Sequence, residues 1–142
     1  MKIFNIFLFI LLLPFLLIWT LPQSILGFLL LFFNIFWVRK IKFENFSLIF
    51  YFHHSNPIMV GGISLGIFIL GNQDLLKYDY VVKHELGHVK QSYILSWLYL
   101  LIVGIPSICW VIYYKNFRKQ PNLNYYSFYT EKWANKLMNL NI

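Results

Sequence analysis

The residue types best suited to chemistry lie together near the middle of the chain, in His84-Glu85-Leu86-Gly87-His88. Positions i and i+4 of an α-helix lie on the same face, so His84 and His88 can bind one metal ion together. Glu85 lies beside them and can hold the water molecule that attacks a substrate. The H-E-x-x-H spacing therefore predicts a helical zinc site with Glu85 as its catalytic base.

A third ligand has to come from elsewhere, because a catalytic zinc ion needs three protein ligands and an open position for water. The extended pattern H-E-x-x-H-x-x-G-x-x-H would supply another histidine, but Gln91 and Ile94 occupy the positions it requires, so that class is excluded. No histidine follows His88, and Glu131 is the only carboxylate side chain after Glu85. Glu131 is therefore the leading third ligand.

The segment around Glu131 predicts a helix on which Asn135 shares its face. Asn135 can accept the outer N–H of a ligand histidine and so orient that ring. Other ligands stay open, although no spacing favours them: Glu44, Asp74, Asp79, His53 and His54. Five residues are candidate hydrogen-bond donors to a developing oxyanion: Tyr125, Tyr126, Tyr129, His53 and His54. Each of these side chains more typically packs or faces solvent, so none is given a catalytic role.

Composition bounds the class of protein that carries this site. The chain has 142 residues, which is room for one hydrophobic core. Of these residues 59% are hydrophobic and only 12% are charged, a composition that indicates a membrane-associated protein. Its net charge of +7 is scattered and forms no basic stripe, so lipid headgroups are the expected partner and nucleic acid is not. Cys109 is the only cysteine, which excludes an internal disulfide and a thiolate metal cluster.

The first part of the chain predicts an apolar helical hairpin. Residues 3–19 and 25–38 are apolar runs separated by a turn-like segment, and each run is slightly short for a bilayer span of ~20 residues. The two runs therefore form either two tight spans or one deeply inserted hairpin. No A-x-A cleavage site follows, so we expect an uncleaved anchor. The cations at the two ends of the hairpin place both ends in the cytoplasm by the positive-inside rule: Lys2, Arg39, Lys40 and Lys42.

The next part predicts a short β-hairpin. Residues 46–52 and 60–70 are rich in aromatic and β-branched side chains, and a turn-like segment separates them. Glycines in the second run indicate a bulge or a close backbone approach. Either a substrate peptide pairs along an open strand edge there, or the glycines fit this strand against a helix.

A helix is expected to begin between Asp74 and Asp79, with either residue as its cap, and to carry the histidines on toward residue 101. The apolar segment 94–114 is interrupted at Gly104-Ile105-Pro106-Ser107, where we expect the chain to turn back as a broken, re-entrant helix pair. A straight span would carry the chain ~30 Å from the histidines. It would also separate two groups of cations onto opposite faces, the later group being Lys115, Arg118 and Lys119.

The two motifs together resemble a known group of proteins. His84 to His88, followed by Glu131-Lys132-Trp133-Ala134-Asn135, resembles the H-E-L-G-H … E-x-x-A-D pattern of membrane-associated gluzincin peptidases, the group that contains the CaaX prenyl proteases and the bacterial heat-shock membrane protease. A looser similarity exists to small metalloprotease units of bacterial polymorphic toxins. Asn135 stands where the family has Asp, and the chain is shorter than those peptidases and lacks their full set of spans.

The resemblance implies Zn²⁺ bound by His84, His88 and Glu131, with Glu85 as general base and later proton donor. The predicted helices and strands together give an α+β fold with a membrane anchor at residues 1–42. With the resemblance, residues 43–142 are expected to form a zincin-like metallopeptidase domain that acts on a membrane-near or unfolded polypeptide. The expected location is the bacterial inner membrane, with the site on the cytoplasmic side. The alternative is a non-catalytic small membrane protein whose structural or vestigial zinc site serves to bind or regulate a partner.

Overall fold

The computed structural model describes residues 2–59, 61–117 and 124–141, and it has an α+β fold. A four-stranded mixed sheet has the order β1-β2-β4-β3. Its central strands β2 and β4 are parallel, and each pairs with its outer neighbour in the antiparallel direction. The strands are β1 (Val38–Glu44), β2 (Ser47–Phe52), β3 (Gly62–Leu65) and β4 (Phe68–Asn72).

Six α-helices surround this sheet in the described part of the chain. They are α1 (Lys2–Trp19), α2 (Leu21–Asn34), α3 (Gln73–Leu76), α4 (Asp79–Leu95), α5 (Ile105–Phe117) and α6 (Tyr129–Leu137). A π-helical turn, Leu100–Gly104, leads directly into α5, and short 3₁₀ turns occupy Ile35–Trp37, Ser96–Leu98 and Tyr125–Ser127. Three residues used in the sequence predictions, Val60, Arg118 and Lys119, lie outside the described residues.

The central strands β2 and β4 are buried on both faces, which explains why they read as continuous apolar runs. One face packs against α1 and α2, and the other packs against α4. The first face contributes Phe50, Phe52, Phe68 and Leu70, which meet Phe9 of α1. The second contributes Ile49, Tyr51 and Ile69, which meet Val82, Leu86 and Val89 of α4. The helix with the two histidines is thus fixed by its apolar face against the sheet.

The predicted two-stranded hairpin is wrong in its number of strands. The run 60–70 is not one strand but the hairpin of β3 and β4, which turns at Gly66 with φ +62°. A methyl group at Gly66 would lie 2.2 Å from Ser24 Oγ, so glycine is required for both the conformation and the contact with α2. Val38, expected to end the second apolar run, and residues 39–42, expected as its polar end, lie in β1 instead. The proposed domain boundary at residues 42 and 43 therefore falls inside a strand, and the division stays a prediction.

The N-terminal helices form a corner and not an antiparallel hairpin. They meet at Thr20 with a bend of 106°. Leu100–Phe117 is the one helix in the described residues that is long and apolar enough to cross a membrane. The bent pair meets that criterion only when its two helices are taken together.

The helix with the histidines starts where the sequence predicts, at Asp79, but neither aspartate caps it. The preceding short helix α3 is the one with a side-chain cap: Asn72 accepts the N–H of Asp74 at its start. The helix ends earlier than expected, at Leu95, because Ser96 adopts a left-handed conformation with φ 52°. Ser96 Oγ donates to the carbonyl of Trp19, which attaches this turn to the corner of α1 and α2.

The predicted break at residues 104–107 is wrong, since Leu100–Phe117 is one continuous helix. Proline has no N–H, so Pro106 leaves the carbonyl of Ile102 without its usual helical partner. That carbonyl accepts a hydrogen bond from the Tyr129 hydroxyl instead. The π-helical turn immediately before α5 widens the helix at this point, and the chain continues past Pro106 without turning back.

Candidate metal centre

Three side chains from two helices meet in a buried group that can hold a metal ion. His84 and His88 lie one turn apart on α4, and Glu131 comes from α6. The Nε2 atoms of His84 and His88 lie 3.1 and 3.3 Å from Oε2 of Glu131. The three predicted ligands are thus brought together. The alternative ligands are not part of this group in the described residues: Glu44, Asp74, Asp79, His53 and His54.

The close approach of α4 and α6 depends on Gly87, which lies between the two histidines. A methyl group at this position would lie 2.3 Å from the carbonyl oxygen of Ala134 and 2.7 Å from its carbonyl carbon. These are backbone atoms, so no rotation of a side chain can relieve the contact. Ala134 itself is fully buried. The small residues of both motifs therefore set the distance between the helices that supply the ligands.

Hydrogen bonds to the outer ring nitrogens orient both histidines. Nδ1 of His84 lies 2.7 Å from Oδ1 of Asn135, the partner that the sequence predicts. Nδ1 of His88 lies 2.7 Å from Oε1 of Gln91. The amide of Gln91 is itself fixed, because its Nε2 donates to the carbonyl of Thr130. With Nδ1 donating in this way, both Nε2 atoms face Glu131: they donate to it when the rings are protonated and present lone pairs to it when the rings are neutral.

The second oxygen of Glu131 is also engaged. Oε1 accepts hydrogen bonds from the hydroxyls of Ser107 on α5 and of Thr130, at 2.9 and 3.0 Å. Burial alone would raise the pKa of Glu131, but its hydrogen bonds with His84 and His88 outweigh burial and hold that pKa well below its usual range. Burial would likewise lower the pKa of His84, yet its bond with Glu131 raises it. Glu131 is therefore an ionised carboxylate with one oxygen directed at the two rings.

The donor set fits a metal cation. With both rings neutral, two imidazole lone pairs and a carboxylate oxygen converge within 4.8 Å and have no proton between them. A cation would relieve the repulsion between these lone pairs, and imidazole and carboxylate are common ligands of divalent metal ions. The amide of Asn135 fits less completely than a carboxylate would, because its Nδ2 is buried and has no hydrogen-bond partner among the described residues.

Glu85 is buried beside this group but is not one of its ligands. Its Oε2 accepts a hydrogen bond of 2.7 Å from the hydroxyl of Ser64 on β3. Its Oε1 lies against the backbone of the same strand, since a methyl group at Gly62 would be 2.5 Å from it. Of the two sequence interpretations of these glycines, the fit of a strand against a helix therefore describes Gly62.

The candidate oxyanion donors have different surroundings in the structure. The Tyr129 hydroxyl is engaged with Ile102, and the rings of His53 and His54 lie against each other at 4.0 Å. The ring of Tyr126 packs edge-on to that of His84, with 5.3 Å between centroids. Burial, followed by the nearby carboxylates, raises the pKa of Tyr125, so its hydroxyl stays a hydrogen-bond donor. No catalytic role is assigned to any of them.

Four polar residues around the ligands have no counterpart in the sequence prediction: Ser64, Gln91, Ser107 and Thr130. Gln91 carries a usable signal, because it lies three residues after His88 and such residues are neighbours on a helix. Thr130 precedes the ligand Glu131 directly. Ser64 and Ser107 reach the site only through tertiary packing, and their sequence surroundings give no indication of it.

No protein-family model, no curated protein and no solved structure matches the chain. The resemblance to gluzincin peptidases therefore stays a prediction from the two sequence motifs.

Proposed function

We propose that this protein is a zinc-dependent membrane endopeptidase that hydrolyses peptide bonds of membrane-near or unfolded polypeptides. The observation that carries the proposal is the state of Glu85. It is a buried carboxylate one residue from a ligand, excluded from the ligand group and held in place by Ser64. Burial of a carboxylate is unfavourable unless it is paired, and a purely structural metal site has no need of this additional one.

Each residue of the site has a distinct role in this proposal. His84, His88 and Glu131 hold the zinc ion, which when bound acidifies a water molecule and polarises the carbonyl group of the substrate. Glu85 takes the proton of the attacking water and returns it to the leaving amine. Because Ser64 occupies Oε2 of Glu85, the proton is carried on Oε1. Asn135 and Gln91 keep the two histidines in the tautomer that leaves Nε2 free for the ion.

The substrate backbone is proposed to lie along β3. This strand is at the edge of the sheet, and its Ser64 contacts the general base. An extended peptide can pair with such an edge through main-chain hydrogen bonds, which suits a substrate of varied sequence. The Tyr99 hydroxyl already donates to the carbonyl of Ser64, so pairing would use the remaining groups of the strand toward Gly62.

Membrane association is supported by the apolar side chains that α1 and α2 leave exposed. Phe4, Phe7, Phe15, Phe28 and Phe33 are each more than half exposed. Large exposed apolar side chains that cluster on one surface mark an interaction with another apolar surface. We place the protein in a bacterial inner membrane with its site on the cytoplasmic side, following the cations at the ends of the N-terminal helices.

The test combines metal analysis with a matched pair of variants. Purified full-length protein in detergent is analysed for zinc by mass spectrometry and assayed for cleavage of casein, a generic unfolded substrate. Glu85→Gln should keep stoichiometric zinc and lose at least ~100-fold in cleavage rate, because general-base catalysis typically contributes 10²–10⁴-fold. Glu44→Gln, which removes a carboxylate paired with Lys42 on β1, should leave both readings unchanged.

The other outcomes decide against the proposal. An unchanged cleavage rate in Glu85→Gln removes the enzymatic function. Stoichiometric zinc in a wild-type protein that cleaves nothing leaves a structural site, which would bind or regulate a partner. Absence of zinc and of other transition metals removes the metal centre itself.

A further inference from the structure

The apolar helix Leu100–Phe117 is attached at its middle to the metal site. Ser107 is the eighth of its 18 residues, and its hydroxyl donates to Oε1 of Glu131 at 2.9 Å. The helix rises 1.5 Å per residue, so Ser107 lies about 10 Å from the Leu100 end. If this helix crossed a bilayer, the ligand group would lie near the centre of the hydrocarbon layer.

The surroundings of the ligands do not suit that depth. Each ligand has an exposed lysine within two residues of it in sequence: Lys83, Lys90 and Lys132. Lys83 pairs with Asp79 at 2.7 Å on the surface of α4, and Lys90 Nζ donates to the carbonyl of Leu137. Lysine is among the least tolerated side chains at the centre of a bilayer. The metal site therefore lies at a depth where the surrounding side chains contact water.

The helix itself has one apolar side and one side packed on protein. Val103 is fully buried, and Ser107 faces α6. The opposite side exposes a stripe at spacings of four, three and four residues: Leu101, Ile105, Ile108 and Ile112, each more than half exposed, with Ile102, Cys109 and Tyr113 exposed beside it. Such spacing places all four side chains on one face of a helix. The first charge on this face is Lys115 in the last turn, where a long side chain can extend to the headgroups.

We infer that Leu100–Phe117 lies in the plane of the membrane surface and does not cross the bilayer, with its apolar stripe in the boundary between headgroups and acyl chains. The occupant of the stripe is the lipid surface. This orientation puts the four apolar side chains in lipid and keeps the three lysines beside the ligands in water, where they attract anionic headgroups. The inference concerns the placement of the helix, and it holds whether or not the metal site is catalytic.

Depth measurements with spin labels test this directly. The native Cys109 is exposed near the middle of the helix and needs no substitution. In a Cys109→Ser background, Leu101→Cys and Ile112→Cys place labels near the two ends of the stripe, at positions whose exposure makes loss of core packing small. Lys132→Cys supplies a reference on α6. The full chain is reconstituted in vesicles of phosphatidylcholine and phosphatidylglycerol in equal amounts, and depth is read from oxygen and nickel-chelate accessibility.

The expected result is one shallow depth for labels at 101, 109 and 112, within about one helical turn of each other, and a water-exposed label at 132. A spanning helix would separate the labels at 101 and 112 by about 16 Å, and that result overturns the inference. Labels that are all in water, or a label at 132 that is in lipid, overturn it equally.

Discussion

Replacing Gly87 with alanine should destabilise the protein, although general rules predict the opposite sign. In an ordinary helix, glycine is less favourable than alanine by ~0.5–1 kcal/mol, so the change normally stabilises. Here the new methyl group would lie 2.3 Å from the carbonyl oxygen of Ala134. Reaching an ordinary contact requires α6 to move by about 1 Å, and overpacking of this kind costs ~1–3 kcal/mol. A net loss is therefore expected.

The same displacement should weaken binding of the proposed zinc ion. Glu131 and Asn135 belong to α6 and would move with it, while metal–ligand distances tolerate only ~0.2 Å. Gly87→Ala is therefore expected to lower the unfolding midpoint and also to lose most of the zinc-induced increase in that midpoint. Urea unfolding followed by circular dichroism, with zinc and with chelator, measures both effects.

Two comparisons make this test specific. Gly61→Ala places its methyl group in open space, and it should change the free energy of unfolding by less than ~0.5 kcal/mol. Trimming the opposing side chain with Ala134→Gly should not rescue Gly87→Ala, because the clash is with backbone atoms. A stabilised Gly87→Ala variant that retains its zinc would refute the close contact of α4 with α6.

Two further predictions concern the ligands. Asn135→Asp should raise zinc affinity by about 10-fold, because a carboxylate accepts the His84 N–H without leaving a buried amide nitrogen unpaired. Asn135→Ala removes this acceptor and should lower the affinity by ~10–100-fold. Chelator competition measures both affinities, and weaker zinc binding by Asn135→Asp would contradict the reasoning. Without metal, the raised pKa of His84 stabilises the folded protein below pH 6.5, the ordinary pKa of histidine, and this contribution is lost as the pH rises. The lowered pKa of Glu131 stabilises the folded protein above pH 4.5, the ordinary pKa of glutamate, and that contribution is lost as the pH falls. The free energy of unfolding of the metal-free protein should thus be highest between about pH 4.5 and 6.5, and zinc should increase it mainly above that range. A free energy of unfolding that rises steadily from pH 6 to 8 without metal would contradict the pairing of these residues.

The parts of the site that sequence could predict are those fixed by local geometry or by scarcity. His84 and His88 follow from helical periodicity, and Asn135 follows from its spacing to Glu131. Glu131 followed from elimination, since no other carboxylate comes after Glu85. Residues that reach the site from another strand or helix have no such constraint.

The errors in the predicted fold have identifiable physical causes. Lys40 to Glu44 alternate between polar and apolar residues as a strand does, but the run is only five residues long and a register irregularity precedes it between Val38 and Lys40. The cations of this run instead indicate the polar end of an apolar helix. The turn after α4 uses Ser96, a residue type that does not usually indicate a left-handed conformation. Conversely, glycine and proline at residues 104–107 indicate a break, but the hydroxyl of Tyr129 satisfies the carbonyl that proline leaves free.

The π-helical turn Leu100–Gly104 also sets the rotational phase of everything that follows it. Such a turn accommodates one residue more than an α-helical turn, and one residue corresponds to about 100° of rotation around the axis. In a regular α-helix, Ser107 would therefore point about a quarter of a turn away from Glu131, and the part of the apolar stripe that follows the turn, from Ile105 onward, would rotate with it. One additional residue thus aligns the same helix with a polar group on one side and an apolar environment on the other.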